Sequence, residues 1–205
     1  MIEQLVPFLI ASIGLTLSPG PDILYVLTLS VTGSRSEAVL FATGLVAGII
    51  FHTALVAFGI ATLIKNNDLI FDIIKYLGAT YLVYLAIQIY RSDVGLETNK
   101  EKVDRKRSLF STFKKGILMN VLNPKVSLFF LAFLPGFIWD ADGLISVQLI
   151  FLGLLFMLQA WLIFFGVAQL GSLINLNKLS AYAFIAKWLQ VLILIGIAVY
   201  LLIGS

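Results

Sequence analysis

The sequence predicts an all-α membrane protein of six transmembrane helices, built as two inverted three-helix repeats, with helices 1 and 4 broken at proline motifs. Three observations lead to that fold. Six apolar runs, roughly 4–30, 38–64, 69–90, 113–135, 144–171 and 181–204, occupy nearly the whole chain. Each is about as long as the ~20 apolar residues that cross a bilayer, or longer. One hydrophilic stretch, 91–115, divides them three and three, and the first and fourth runs carry proline motifs in corresponding places.

Composition narrows the function classes before any motif is read. Of 205 residues, 60% are hydrophobic, and the mean hydropathy is +1.02. A soluble domain of this size cannot hide that much apolar surface, and the six runs leave no room for one. There is no cysteine and one histidine, so disulfides, thiolate metal sites and multi-histidine metal centres are excluded, and no cofactor is implied. No G-x-S-x-G elbow, P-loop or Rossmann fingerprint occurs, so the chain does not read as an enzyme. The net charge of +3 and pI near 9.1 do not point to nucleic acid, because the basic residues gather between spans. Met1-Ile2-Glu3 has no basic leader and no small-residue cleavage site follows, so the first run is expected to be retained.

Span one, Leu5 to Val31 at its most apolar, is interrupted by Leu17-Ser18-Pro19-Gly20-Pro21-Asp22. Each proline lacks an N–H and clashes with the carbonyl four residues back. Ser18 and Gly20 precede prolines and are pushed out of the helical region. The helix should stop there and restart at Pro21, which suits a first helical position. After Thr32-Gly33-Ser34-Arg35-Ser36-Glu37, span two carries Gly44-Leu45-Val46-Ala47-Gly48, a pattern that lets helices approach closely, within one chain or across a homodimer. His52 follows one turn later. Lys65-Asn66-Asn67-Asp68 is a polar turn, and span three runs from Leu69 to Tyr90.

The stretch from Arg91 to Lys115 holds Arg91, Lys100, Lys102, Arg105, Lys106, Arg107, Lys114 and Lys115. It reads as a cytoplasmic linker, about 93–112, between repeat 1 (about 1–92) and repeat 2 (about 113–205) of a single transmembrane domain. Setting topology explains its charge better than a polybasic lipid-binding role. Span four contains Asn120-Val121-Leu122-Asn123-Pro124-Lys125. The turn Gly136 to Gly143 has no basic residue, span five ends near Gly171, and the loop Asn175-Leu176-Asn177-Lys178 leads to span six. The basic residues of loops 1–2, 3–4 and 5–6, together with Lys187, lie on one side; the other has only Lys65 and Lys75. The basic side is expected to be cytoplasmic, which puts both termini outside.

The two halves match weakly but in order. Ile73-Ile74-Lys75-Tyr76-Leu77 answers Ile185-Ala186-Lys187-Trp188-Leu189, Leu40 to Gly44 answers Leu149 to Gly153, and Gly20-Pro21-Asp22 answers Asn123-Pro124-Lys125. An odd number of spans per half requires the halves to be inverted. Inverted repeats with interrupted helices at matching places point to a transporter site near the midplane. Pro21 and Pro124 fall some 10–17 residues from the starts of their spans, near the bilayer's middle.

The interruptions free backbone groups. The carbonyls of Leu17 and Asn120 lose their helical partners, and N–H groups near Asp22 to Leu24 and Lys125 to Ser127 are expected to be unpaired. Such helix starts attract an anion, and stranded carbonyls attract a cation. A zwitterion such as an amino acid suits both. Asp22 would hold a substrate ammonium or carry a transported proton, or merely complete the turn. Lys125, roughly 15–18 Å along the helix from its basic end, is too deep to snorkel easily and would pair with Asp22 or take a carboxylate. Asn120 and Asn123 would ligate or cap. His52 would relay protons or make an interhelical hydrogen bond. Gln88, Gln159 and Gln190 read as interhelical glue or interface residues. Tyr76, Tyr81, Tyr84, Trp161 and Trp188 read as packing or belt residues, with Tyr84 a candidate lining residue.

These residues carry a resemblance. The Leu17 to Asp22 motif, Gly78-Ala79-Thr80-Tyr81-Leu82, Phe113-Lys114-Lys115-Gly116 with Asn120, and Asn123-Pro124-Lys125 through Phe129-Phe130 to Leu134-Pro135-Gly136-Phe137 resemble the LysE/RhtB-type amino-acid exporter family over essentially the full length. The resemblance implies six spans, a bacterial inner membrane, and export of amino acids or derivatives driven by the proton gradient. Gly136 departs from the glutamine expected between that proline and phenylalanine, a change of local loop chemistry. The site residues expected are Pro19, Gly20, Pro21, Asp22, Asn120, Asn123, Pro124 and Lys125 for substrate, with Asp22 and His52 for proton coupling and no metal. The alternatives are an exporter of another small cation or metal ion, weakened by the lack of acidic clusters and thiols, and a non-transporting membrane assembly protein.

Overall fold

The computed structural model describes residues 2–18, 20–32, 34–61, 68–91, 108–140, 143–171 and 176–203. Pro19, the polar turn at 62–67, most of the linker (92–107) and residues 172–175 lie outside them. Eight α-helices and no strand occur among the described residues: α1 (Ile2–Leu17), α2 (Pro21–Thr32), α3 (Arg35–Ala54), α4 (Asp68–Arg91), α5 (Leu109–Val121), α6 (Pro124–Ala132), α7 (Ile145–Leu170) and α8 (Leu176–Ile203). A π-helical segment, Leu55–Ile60, extends α3, and a 3-10 turn, Leu134–Phe137, follows α6.

Among the described residues, two helices are long and apolar enough to cross a membrane, α3 with its continuation (Arg35–Gly59) and α7; α1 and α2 make a third if the pair, bent by 57°, counts as one span. The expected spans 69–90 and 181–204 fall on α4 and α8, of 24 and 28 residues. Helix α6 has nine residues, so at 1.5 Å per residue it covers about half of a ~30 Å hydrocarbon core.

The α5 start corrects the linker boundary. The helix begins at Leu109, not 113, with the Ser108 carbonyl accepting from the N–H groups of Ser111 and Thr112 at 2.9 and 3.2 Å. The residues added to the expected span are Leu109, Phe110, Ser111 and Thr112; Lys114 and Lys115 lie inside the helix, as the expected span also had them.

Helix α3 packs most closely on α5, α4 lies against α8, and α3 also packs on α7. The α3–α5 approach is set by glycine. A Cβ on Gly44 would run into the Phe113 carbonyl and stand 3.2 Å from the Gly116 Cα; one on Gly48 would come within 2.8 Å of the Asn120 Cβ. The glycine pair therefore works inside the chain, and it offers a homodimer no further support. An aromatic core gathers on α6 and the turn after it. Phe129, Phe130, Phe133 and Phe137 are at most 1% exposed, and Phe156 and Phe8 join them in tilted and edge contacts. On α7, Val147, Phe151, Leu154, Leu158 and Leu162 are exposed at helical spacing, an apolar stripe suited to lipid, while Gln148, Leu152, Phe156 and Gln159 face inward.

Candidate functional site

The two proline motifs meet each other. Helix α1 ends at Leu17 and α2 begins at Pro21; α5 ends at Val121 and α6 begins at Pro124. Asn123, extended (φ −78°, ψ 108°) as a residue before proline must be, accepts the Lys125 N–H on its Oδ1 at 3.0 Å and so caps α6. Its Nδ2 donates across to Asp22 Oδ2 at 2.7 Å. In return, Lys125 Nζ donates to the Ser18 carbonyl at 3.1 Å. Each motif thus supplies a charged group that the other holds. Gly20 allows this approach: a Cβ there would stand 3.3 Å from Lys125 Nζ.

Asp22, Asn120 and Asn123 are buried. Asp22 Oδ1 and Asn120 Oδ1 are enclosed without a hydrogen-bond partner, a costly state for oxygens shut away from water. Both residues line a pocket of about 20 Å³, with Thr16, Ser18, Lys125 and Phe156 among its walls. A second cavity, of about 550 Å³, lies beside it. One of its walls is Ser18, Gly20, Pro21, Asn123, Pro124 and Lys125; the other is the α4 face bearing Tyr81, Tyr84 and Gln88. Ser18 and Lys125 belong to both spaces.

Two expectations are corrected. The Asn120 carbonyl is not stranded: it accepts from the Asn123 N–H at 2.9 Å and faces His52 Nε2 at 3.2 Å. A carbonyl only accepts, so Nε2 carries the hydrogen. The start of α6 does not present free N–H groups either. Lys125 N–H goes to Asn123 Oδ1, and the N–H groups of Val126 and Ser127 go to the Asn123 carbonyl at 3.1 and 3.0 Å. On the other side, the Leu24 N–H is taken by the Gly20 carbonyl at 3.1 Å. Capping by Asn123 removes the anion-attracting end that proline alone would have left.

Of the expected site residues, the structure brings together Gly20, Pro21, Asp22, Asn120, Asn123, Pro124 and Lys125, while Pro19 lies outside the described residues. His52, 1% exposed, lines neither space and packs on the rings of Phe51 and Phe130. Gln159 is interhelical, donating from α7 to Thr16 Oγ1 on α1 at 3.0 Å. Gln88 donates to the Tyr84 hydroxyl on its own helix rather than to another. The cavity role of Tyr81 and Gln88 was missed. The available signal was their i, i+7 spacing with Tyr84 between, a polar-tipped face on an apolar span.

A family model described as LysE type translocator matches residues 13–205. The chain is 34% identical over 145 residues to a homoserine/homoserine lactone efflux protein of Salmonella typhimurium, covering 70% of this chain and 68% of that one. It is 33% identical, with the same coverage, to the protein of that description from Salmonella typhi. No solved structure matches the chain.

Proposed function

The chain belongs to the LysE type translocator family, and on that premise we propose that it is a secondary transporter exporting amino acids or close derivatives across the bacterial inner membrane by proton antiport. Membership makes it a multi-pass membrane translocator and not an enzyme. The six spans form two inverted three-helix repeats, α1–α2, α3 and α4 against α5–α6, α7 and α8, with both termini outside. This reading is supported by which elements meet: α3 packs on α7 and α4 on α8, the pairs that an inverted duplication makes equivalent.

The observation that carries the proposal is the reciprocal hold between the proline motifs, Asn123 on Asp22 and Lys125 on the Ser18 carbonyl, beside a cavity large enough for an amino acid. Asp22 and Asn120 receive the substrate's ammonium, and Lys125 receives its carboxylate. Gly20, Pro21, Asn123 and Pro124 shape the cavity, with Pro19 beside them in the chain. Asp22 also carries the exchanged proton, and His52 is linked to it through Asn120. Rocking of one repeat against the other opens the cavity to each side in turn. The relatives named for homoserine and homoserine lactone efflux make those two compounds the first substrates to try.

Cells lacking amino-acid catabolism and loaded with dipeptides test this directly. Expression of the wild type should restore growth under at least one amino-acid load, and Asp22→Asn should not. Equal growth with both across the twenty amino acids would count against export.

A further inference from the structure

We propose that the 20 Å³ pocket is a subsite for one primary ammonium group, and that Lys125 is its door. This rests on the export reading and adds to it which part of a substrate is read, and where. The pocket has two buried oxygens with no partner, Asp22 Oδ1 and Asn120 Oδ1. Both are acceptors and neither can satisfy the other. They need a compact donor with several N–H or O–H bonds, and a carboxylate in their place would be repelled.

Size agrees with charge. A volume of about 20 Å³ is close to that of one water molecule, and an ammonium head is about that large. The rest of a substrate must stay in the 550 Å³ cavity, so the pocket reads the amine and nothing beyond it. Lys125 lines both spaces, with Nζ tied to the Ser18 carbonyl. With Ser18 it forms the part of the lining that the two spaces share, a tethered cation at the boundary between the cavity and the pocket of Asp22. Entry of a substrate ammonium displaces it into the cavity, where its charge can meet whatever acceptor the substrate carries. One cation replaces another near Asp22, so the buried carboxylate is never left alone.

The carboxylate end is read more loosely. The Lys125, Val126 and Ser127 amides are already used within α6, so the lysine ammonium is the group at this helix start left for an anion. The subsite therefore accepts amino acids and amino compounds without a free carboxylate, lactones among them, and rejects compounds without the ammonium.

Purified protein tests this by calorimetric binding of two ligands that differ in one group, homoserine lactone (α-amino-γ-butyrolactone) and α-hydroxy-γ-butyrolactone. The amine should bind at least about tenfold more tightly, the loss expected when a charge-assisted hydrogen bond is removed. In Asn120→Leu, which deletes one pocket oxygen, the gap between the two ligands should shrink. Equal binding of both ligands to the wild type overturns the subsite, as does an undiminished gap in a folded Asn120→Leu. If homoserine and its lactone both bind yet neither crosses proteoliposome membranes, the export reading fails while the subsite stands.

Discussion

Asn123 joins two helix starts through one side chain: its Oδ1 caps α6 and its Nδ2 donates to Asp22 Oδ2 at 2.7 Å. The two roles separate by substitution. Asn123→Ser keeps a capping oxygen but is too short to reach Asp22, so it should keep a melting temperature near that of the wild type and lose most transport. Asn123→Ala loses both roles and should also cost about 1 kcal/mol of stability. Thermal unfolding in detergent alongside efflux measures the split. Transport at the wild-type rate in Asn123→Ser would show that the bond to Asp22 is dispensable.

The crossing of α3 and α5 depends on hydrogen in place of a side chain. Gly44→Val should destabilise by about 3 kcal/mol, because backbone rather than a yielding side chain blocks the new atoms. Gly166→Ala on α7, where a Cβ meets nothing within 4 Å, should be neutral or stabilising by up to about 1 kcal/mol. Folded yield and melting temperature of the two variants check the contrast.

His52 donates Nε2–H to the Asn120 carbonyl. His52→Gln offers another N–H donor to the same carbonyl, so the protein should fold. It lacks the imidazole, the side chain that changes charge near neutral pH. Substrate exchange without a pH gradient should persist, while the response to a gradient is lost. An unaltered response confines His52 to its hydrogen bond.

Single cysteines placed at residues 98–104 of this cysteine-free chain should resist an impermeant label in intact cells and react in inverted vesicles. Labelling from outside would reverse the orientation derived from the basic residues.

Much of the site was legible because proline acts locally. Pro21 and Pro124 mark the starts of α2 and α6, as the missing N–H requires. What surrounds those starts was not legible. The Asn120 carbonyl is taken by the Asn123 N–H of the turn itself and meets a second donor in His52, 68 positions away, while of the α6 amides the one on Lys125 depends on the rotamer of Asn123. Gly44 and Gly48 announced a close approach but could not name Gly116 as the partner. Tyr84 was a candidate lining residue, but Tyr81 and Gln88 on the same face read as packing and interface residues, because their spacing marks a polar-tipped face without saying what that face meets. Within α5, Lys115 reaches the Tyr25 hydroxyl at 2.8 Å, a long-range partner that no local pattern names.

The central claim is met most directly by efflux of labelled homoserine from proteoliposomes holding wild type or Asp22→Asn, each with and without a pH gradient. The account predicts efflux by the wild type that rises when protons can flow inward, and a fall to the empty-vesicle rate in Asp22→Asn. Gradient-driven efflux by Asp22→Asn at the wild-type rate would contradict it.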